Sequence, residues 1–323
     1  MPTAVQIHQT GGPEVLKAAE VEIGDPGPGE LLVDVAAAGV NYIDTYHRSG
    51  IYQLELPATL GMEGAGTVAA VGPDVTGFRP GDRVAWQGQL GGYAQQARIP
   101  AGIAVPVPEG VPDETAAALL LQGITAHYLV RSTYEVQEGD DILVHAAAGG
   151  VGLLLVQLAK ARGARVIGTV SSEEKEKLAR EAGADDVIRY DQVDFAQATR
   201  DLTGGEGVAV VYDGVGKDTF DGSLASLRIR GVLALFGAAS GPVPPFDPQR
   251  LNSGGSLYLT RPTAAHYVRT REELDWRARE LFDAVTGGAL TLRIGGRYPL
   301  ADARRAHEDL QGRRTTGKLL LIP

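Results

Sequence analysis

The chain has 323 residues, 44% of them hydrophobic and 22% charged, which is enough to build two domains each with its own core. A net charge of -10 argues against a general nucleic-acid or anionic-membrane surface, and no apolar run approaches the about 18 residues that a membrane-spanning helix needs. The absence of any cysteine removes disulfides, thiolate metal sites and cysteine nucleophiles together.

The N-terminus MPTAVQIHQTGG has no charged segment leading into an apolar one, so no secretory signal is read and cytoplasmic residence is expected. Up to about Pro108 the chain shows short strands punctuated by Gly and Pro: LLVDVAAAGV, GAGTVAAVG, DRVAWQG and GGYAQQARIP. This is a β-rich, barrel-like pattern. From Glu109 the texture changes to PDETAAALLLQGITAHYLVRS, whose Ala and Leu content predicts a helix, with a domain boundary near Gly123.

Strands and helices then alternate. Strands are predicted at Ile142 to Ala146, Arg165 to Val170, Asp186 to Ile188, GVAVVYDGV and GVLALFGAA, with helices running through Arg162 and over Glu173 to Ala182. Such alternation implies a parallel sheet with helices on both faces, and places ligands at the carboxyl ends of the strands near Ala147, Ser171, Val215 and Gly237. Beyond Leu259 comes REELDWRARELFDAVTGG, an amphipathic helix, then RIGGRYPL, another helix and a final strand KLLLIP. That tail does not extend the alternating pattern and is assigned back to the first domain.

The most informative stretch is DILVHAAAGGVG, from Asp141 to Gly152. Ile142-Leu143-Val144 suits an inner strand, Ala147-x-Gly149-x-x-Gly152 is an alanine variant of the Gly-x-Gly-x-x-Gly turn, and LLLVQLAKARG continues at helical period. Small residues let the backbone approach a pyrophosphate, and a helix opening near Gly150 supplies N–H groups and a positive dipole end. A tight turn without a ligand is the bland alternative. His145, at the end of the apolar strand, is expected to be a packed core residue rather than a ligand.

NAD sites place an Asp or Glu at the end of the second strand to take the ribose hydroxyls. Here that strand ends in Ser171 and Ser172, with Lys175 one turn into the next helix, which suits a 2′-phosphate. Glu173 and Glu174 are near enough in sequence to reach a ribose. Serines that merely cap the helix, with Lys175 on its solvated face, fit the bare residues equally well.

Asn41-Tyr42-Ile43-Asp44-Thr45-Tyr46-His47-Arg48-Ser49-Gly50-Ile51-Tyr52, together with GMEGAGTVAAVG, LQGITAHYL, HAAAGGVG and RRTTGKLLLIP, resembles the zeta-crystallin-like quinone oxidoreductases, a zinc-free branch of the medium-chain dehydrogenase/reductase superfamily. The resemblance covers essentially the whole chain. It implies an α/β protein with a GroES-like β-rich catalytic domain, residues 1–122 and 260–323, and a Rossmann doubly wound parallel-sheet domain, residues 123–259, assembled as a homodimer. Zinc relatives carry a cysteine where Asn41 stands and a histidine where Met62 stands, so the ligands of a zinc alcohol dehydrogenase are missing and no metal is expected.

Carried over position by position, the resemblance implies NADPH as cofactor, contacted by Asn41, Thr125, Gly149, Gly150, Val151, Ser171, Lys175, Tyr190, Phe236 and Arg313. Lys175 and Tyr190 would bracket the 2′-phosphate. The expected reaction is transfer of reducing equivalents from nicotinamide C4 to a quinone, with Asn41, Tyr46 and Tyr52 lining the acceptor site and Arg48 as an electrostatic helper. Two other readings stand beside it: an NADPH-dependent enone or enal reductase, and a non-catalytic NADPH-binding protein. The acidic balance and the lack of an aromatic-basic stripe argue against a nucleic-acid partner. The edge-like segment SLYLTRP from Ser256 motivates the homodimer expectation.

Overall fold

A computed structural model describes all residues 1–323, and the chain divides into two compact units: Met1–Ile124 with Val268–Pro323, and Thr125–Tyr267. In chain order the first unit contributes β1 (Thr3–Ile7), β2 (Lys17–Glu20), β3 (Glu30–Val40), α1 (Tyr42–Ser49), β4 (Ala58–Thr59), β5 (Glu63–Val71), β6 (Arg83–Gln87), β7 (Gln96–Pro100) and β8 (Val105–Pro106). Helix α2 (Asp113–Tyr128) then carries the chain into the second unit. That unit holds β9 (Asp141–Val144), α3 (Gly150–Lys160), β10 (Arg165–Val170), α4 (Glu173–Glu181), β11 (Asp186–Arg189), α5 (Phe195–Leu202), β12 (Val208–Asp213), α6 (Phe220–Ser226), β13 (Leu227–Leu235), α7 (Gln249–Ser253) and β14 (Tyr258–Thr260). The chain returns to the first unit through α8 (Arg271–Thr286), β15 (Ile294–Pro299), α9 (Ala303–Gln311) and β16 (Lys318–Ile322).

The first unit is GroES-like. Its seven-stranded sheet runs β15-β16-β3-β5-β6-β8, and the eleven-residue β3 is long enough to pair with β7 along its first half and with β16 along its second. A smaller sheet, β2-β1-β4, stands beside it. Apolar side chains from both chain ends share one core, which includes Leu31, Val33, Leu60, Val84, Trp86, Ile99, Leu300 and Leu319. Return of the C-terminal tail is therefore a packing requirement, because β16 pairs with β3 from Ala38 to Val40, beyond the reach of β7, which pairs only with Glu30 to Asp34.

The second unit is a Rossmann domain, with six parallel strands in the order β11-β10-β9-β12-β13-β14. Counted from β9 this is 3-2-1-4-5-6, with the reversal of strand order between β9 and β12. Strand β12, VAVVYD, is buried at every position, as a strand covered by helices on both faces must be.

Three details depart from the sequence reading. Strand β9 stops at Val144 rather than Ala146, because Ala146 adopts a left-handed φ of 51° that ends the ladder and turns the chain toward α3. The first crossing lies inside α2, between Ile124 and Thr125, rather than before residue 123. The return crossing lies after Tyr267 rather than after residue 259. Residues 260–267 stay with the second unit because β14 completes its sheet, and because the Tyr267 ring stacks on Tyr128 at 4.3 Å and its hydroxyl accepts from Thr133 Oγ1 at 3.0 Å.

Candidate active site

In the Rossmann unit the glycine turn follows β9 and is uncapped by any side chain, so the first N–H groups of α3 are served by no side-chain acceptor at its Gly149 N-cap. Gly152 is required where it stands: a Cβ there would run into the carbonyl of Ala146 and lie 2.9 Å from the Ala147 backbone. Helix α3 thus packs against the turn at a distance only glycine permits, the third-glycine role of a dinucleotide fold.

At the end of β10, Ser172 caps α4 by accepting from the Lys175 N–H at 3.3 Å, while Lys175 Nζ reaches Ser171 Oγ at 3.4 Å. Ser172 thus takes the capping role, while Ser171 faces the Lys175 ammonium instead. Tyr190 leaves β11 at the same level, its N–H bonded to the Val170 carbonyl at 3.2 Å, and its ring is exposed. Hydroxyl, ammonium and phenol thus stand at adjacent strand ends, with no carboxylate at the position NAD sites use, a donor set that fits a 2′-phosphate. Phe236 follows β13 and Thr125 sits in α2, so Thr125, Gly149, Gly150, Val151, Ser171, Lys175, Tyr190 and Phe236 all belong to this unit.

Behind the strand ends lies a buried polar chain absent from the sequence reading. Asp213 Oδ1 accepts from the N–H groups of Val215 and Gly216, and its Oδ2 accepts from Ser223 Oγ at 2.8 Å. Since that serine proton is committed, His145 Nε2–H donates to Ser223 Oγ at 3.0 Å and Nδ1 accepts from Thr169 Oγ1 at 2.8 Å. Burial lowers the His145 pKa, against the opposing pull of the Asp213 charge, and so favours the neutral ring of this pattern. His145 therefore ties β9, β10 and β12 together at their carboxyl ends.

In the GroES-like unit the expected acceptor-site residues fall on or beside α1. Tyr46 is buried and its ring meets Tyr52 edge-on at 5.6 Å, while the Tyr52 ring is 40% exposed and also 5.7 Å from His47. Arg313 lies in the loop between α9 and β16 at a left-handed φ of 56°. Asn41 is the N-cap of α1, yet its side chain does not cap the helix. Asp44 reaches back instead, its Oδ2 accepting from the Asn41 N–H at 2.8 Å.

Arg48 is a correction. Expected to help at the acceptor, it is only 2% exposed, and its guanidinium is committed to the Gly11 carbonyl, His307 Nδ1 and Gln311 Oε1. A guanidinium only donates, so His307 Nδ1 accepts, Nε2–H donates to Tyr93 Oη at 3.1 Å, and the Tyr93 hydroxyl donates to Asp44 Oδ2 at 2.8 Å. Burial, helped by the Arg48 charge, holds His307 down at about 3. Burial also lifts Asp44 to about 7 against the pull of its Asn41 and Tyr93 hydrogen bonds, and raises the Tyr93 phenol further with the Asp44 charge.

Asn41 turns its amide toward two residues that sequence reading passed over as site groups, Glu63 and Lys318. Nδ2 donates to Glu63 Oε1 at 2.7 Å, and Oδ1 accepts from Lys318 Nζ at 2.8 Å and Gln122 Nε2 at 3.2 Å. Glu63 and Lys318 are 0% and 2% exposed and form a direct ion pair, with Glu63 Oε2 accepting from the Leu121 N–H at 2.9 Å. Strand register brings them together: Leu319 pairs with Val40 and Gly64 with Ala38, which sets Lys318 opposite Asn41 and Glu63 opposite Gly39. The signal in the sequence was a charge at the head of each apolar strand, Glu63 in GMEGAG and Lys318 in GKLLLI.

No group of three or more His, Cys, Asp or Glu side chains is arranged to hold a metal ion. A GroES-like unit with a buried polar cluster built on Asn41, and a Rossmann unit with a glycine turn, define a medium-chain dehydrogenase/reductase. Residues 27–109 match the alcohol dehydrogenase GroES-like domain family and residues 150–279 the zinc-binding dehydrogenase family. A quinone oxidoreductase of Pseudomonas aeruginosa is 48% identical over the full length of both chains. A 2-haloacrylate reductase of a Burkholderia species is 44% identical over 100% of this chain and 99% of its own. A mycobacterial protein solved in complex with NADPH superposes with a TM-score of 0.97 at 56% identity, covering 99% of this chain and 100% of its own. The chain belongs to the quinone oxidoreductase family of the medium-chain dehydrogenases/reductases.

Proposed function

We propose that the protein is an NADPH-dependent quinone oxidoreductase that needs no metal. The residue set at the family's metal position carries this reading: where zinc relatives supply a thiolate and an imidazole, this chain supplies the amide of Asn41, held by Lys318 and Glu63. Hydrogen-bond donors alone suffice when the acceptor is already electron-poor, as a quinone is. A bound reduced nicotinamide supplies the hydride from its C4. Asn41, Tyr46 and Tyr52 then line the acceptor and hold its developing oxyanion, while a proton from solvent completes the hydroquinone. Gly149, Gly150 and Val151 hold the pyrophosphate through backbone N–H groups, and Ser171, Lys175 and Tyr190 hold the 2′-phosphate. Thr125, Phe236 and Arg313 complete the cofactor contacts.

Oxidation of NADPH and of NADH with 1,4-benzoquinone as acceptor tests the reading. Fast quinone-dependent loss of NADPH with weak NADH activity is the expected result, and no turnover with either cofactor refutes it. The 44% identical 2-haloacrylate reductase favours a second reading, reduction of an activated alkene with hydride delivered to the β-carbon. A higher kcat/KM for an acyclic enone than for the quinone would select it. NADPH binding with no turnover of either acceptor would leave the non-catalytic reading.

The proposal extends to a cytoplasmic homodimer. No helix is long and apolar enough to cross a membrane. Strand β14 lies at the edge of the parallel sheet and exposes Tyr258 at 61%, with Ile229 on neighbouring β13 at 74%, an edge suited to a second copy. A monomeric mass by light scattering would refute the dimer.

A further inference from the structure

A buried ammonium and a buried carboxylate are a poor device for stability, since a well-packed apolar pair of similar volume serves a fold at least as well. Lys318 and Glu63 nevertheless occupy the interior beneath Asn41, and Gly39 lacks a side chain where a Cβ would collide with the Glu63 carboxylate. Their effect on Asn41 is specific. An ammonium only donates and a carboxylate only accepts, so the amide is held with Oδ1 toward Lys318 and Nδ2 toward Glu63, and a flipped amide would set its NH2 against the ammonium. Gln122 fills the second lone pair of Oδ1. One amide N–H goes to Glu63, and the other has only the Gly39 carbonyl at 3.4 Å, close to the limit of a hydrogen bond.

We propose that Lys318 and Glu63 are positioning residues which fix the Asn41 amide as a hydrogen-bond donor, leaving one poorly partnered N–H to be offered to a carbonyl oxygen of the cofactor or the acceptor. The inference rests on the reading of Asn41 as a cofactor and acceptor contact. It assigns Asn41 a polarity that its residue type leaves open, because an asparagine can equally present its oxygen. Lys318 acts through Asn41 and touches no reactant.

Lys318→Met alone leaves Glu63 buried without its cation and would disturb folding for that reason. The test therefore uses the paired Glu63→Met/Lys318→Met variant, Asn41→Ala and the triple combination in the full-length protein. Melting temperature, NADPH binding by nicotinamide fluorescence, binding of 2′,5′-ADP, and kcat and KM with 1,4-benzoquinone are measured on each. The paired variant and Asn41→Ala should each lose about tenfold in kcat/KM, roughly the worth of one hydrogen bond, and the triple variant should lose no more than Asn41→Ala. NADPH binding should weaken while binding of 2′,5′-ADP, which lacks the nicotinamide, stays unchanged.

A folded paired variant with wild-type turnover would overturn the proposal, and so would losses that multiply in the triple. Should the paired variant fail to fold, Gln122→Leu removes a donor to Oδ1 without touching a charge and must show the same non-additivity with Asn41→Ala. An unaffected Asn41→Ala variant would remove both Asn41 and its positioning pair from the site. The quinone reading itself would still stand on wild-type turnover.

Discussion

Replacing Asp44 by asparagine should expose a hidden pH dependence in the stability of the GroES-like unit. Asp44 is fully buried, with Oδ2 bonded to the Asn41 N–H and the Tyr93 hydroxyl, and Oδ1 without a partner. Its pKa rises in the fold from 3.8 to about 7, chiefly through burial, so between those values the folded state binds more protons than the unfolded state and stability falls as pH rises. The penalty at pH above 7 is about 4 kcal/mol, at 1.36 kcal/mol per pKa unit. His307 runs the other way. Its pKa falls from 6.5 to about 3, so its contribution is complete above pH 6.5 and is lost as pH falls toward 3. The two slopes nearly cancel in the wild type between pH 4 and 6.5. In Asp44→Asn only the His307 slope survives. The variant bears a roughly constant cost of about 1–3 kcal/mol for an amide N–H at the unpartnered Oδ1 position. Guanidinium unfolding of both proteins from pH 4.5 to 8 measures the difference, in which every unaltered group cancels. That difference should shift by about 3 kcal/mol in favour of the variant as pH rises from 4.5 to 7.5, since about 1 kcal/mol of the penalty is already present at pH 4.5. A difference that stays constant within about 1 kcal/mol would refute the burial of an ionisable carboxyl at this position.

Lys175→Ala should raise the KM for NADPH by about 10- to 100-fold, the worth of a charge-assisted hydrogen bond, with little change for NADH; steady-state kinetics with both cofactors checks it, and equal losses for the two would remove Lys175 from the 2′-phosphate site. Gly39→Ala should cost about 1–3 kcal/mol in thermal or denaturant unfolding, because its Cβ meets a Glu63 side chain pinned at both oxygens; an unchanged melting temperature would show that Glu63 can move aside. Tyr52→Phe should lower kcat with 1,4-benzoquinone while leaving NADPH binding intact, and an unaltered kcat would assign this 40% exposed ring to packing against Tyr46 and His47 alone.

The local code was strong enough to place most elements. Alternation of short apolar strands with helices announced the parallel sheet, because each strand must be covered on both faces. The run of alanines and glycines before α3 announced the turn, and at Gly152 no side chain permits the approach of helix to turn. Ser171 and Lys175 were legible as a pair because they are a strand end and one helical turn apart.

What adjacency in sequence could not supply was partnership across long separations. Lys318 meets Asn41 only because β16 returns from the far end of the chain to pair with β3, and Glu63 joins them only through the register of β5. Arg48 was expected beside the acceptor as an electrostatic helper, yet the packing of α9 against the start of the chain buries it against His307 and Gly11. Sequence by itself determined the two-domain α/β class, the glycine turn and the lack of thiolate ligands, because each depends on residue type and near-neighbour spacing. Only the tertiary structure decided which way the Asn41 amide points and which buried charges hold it, because hydrogen-bond direction is set by partners that the strand register brings together.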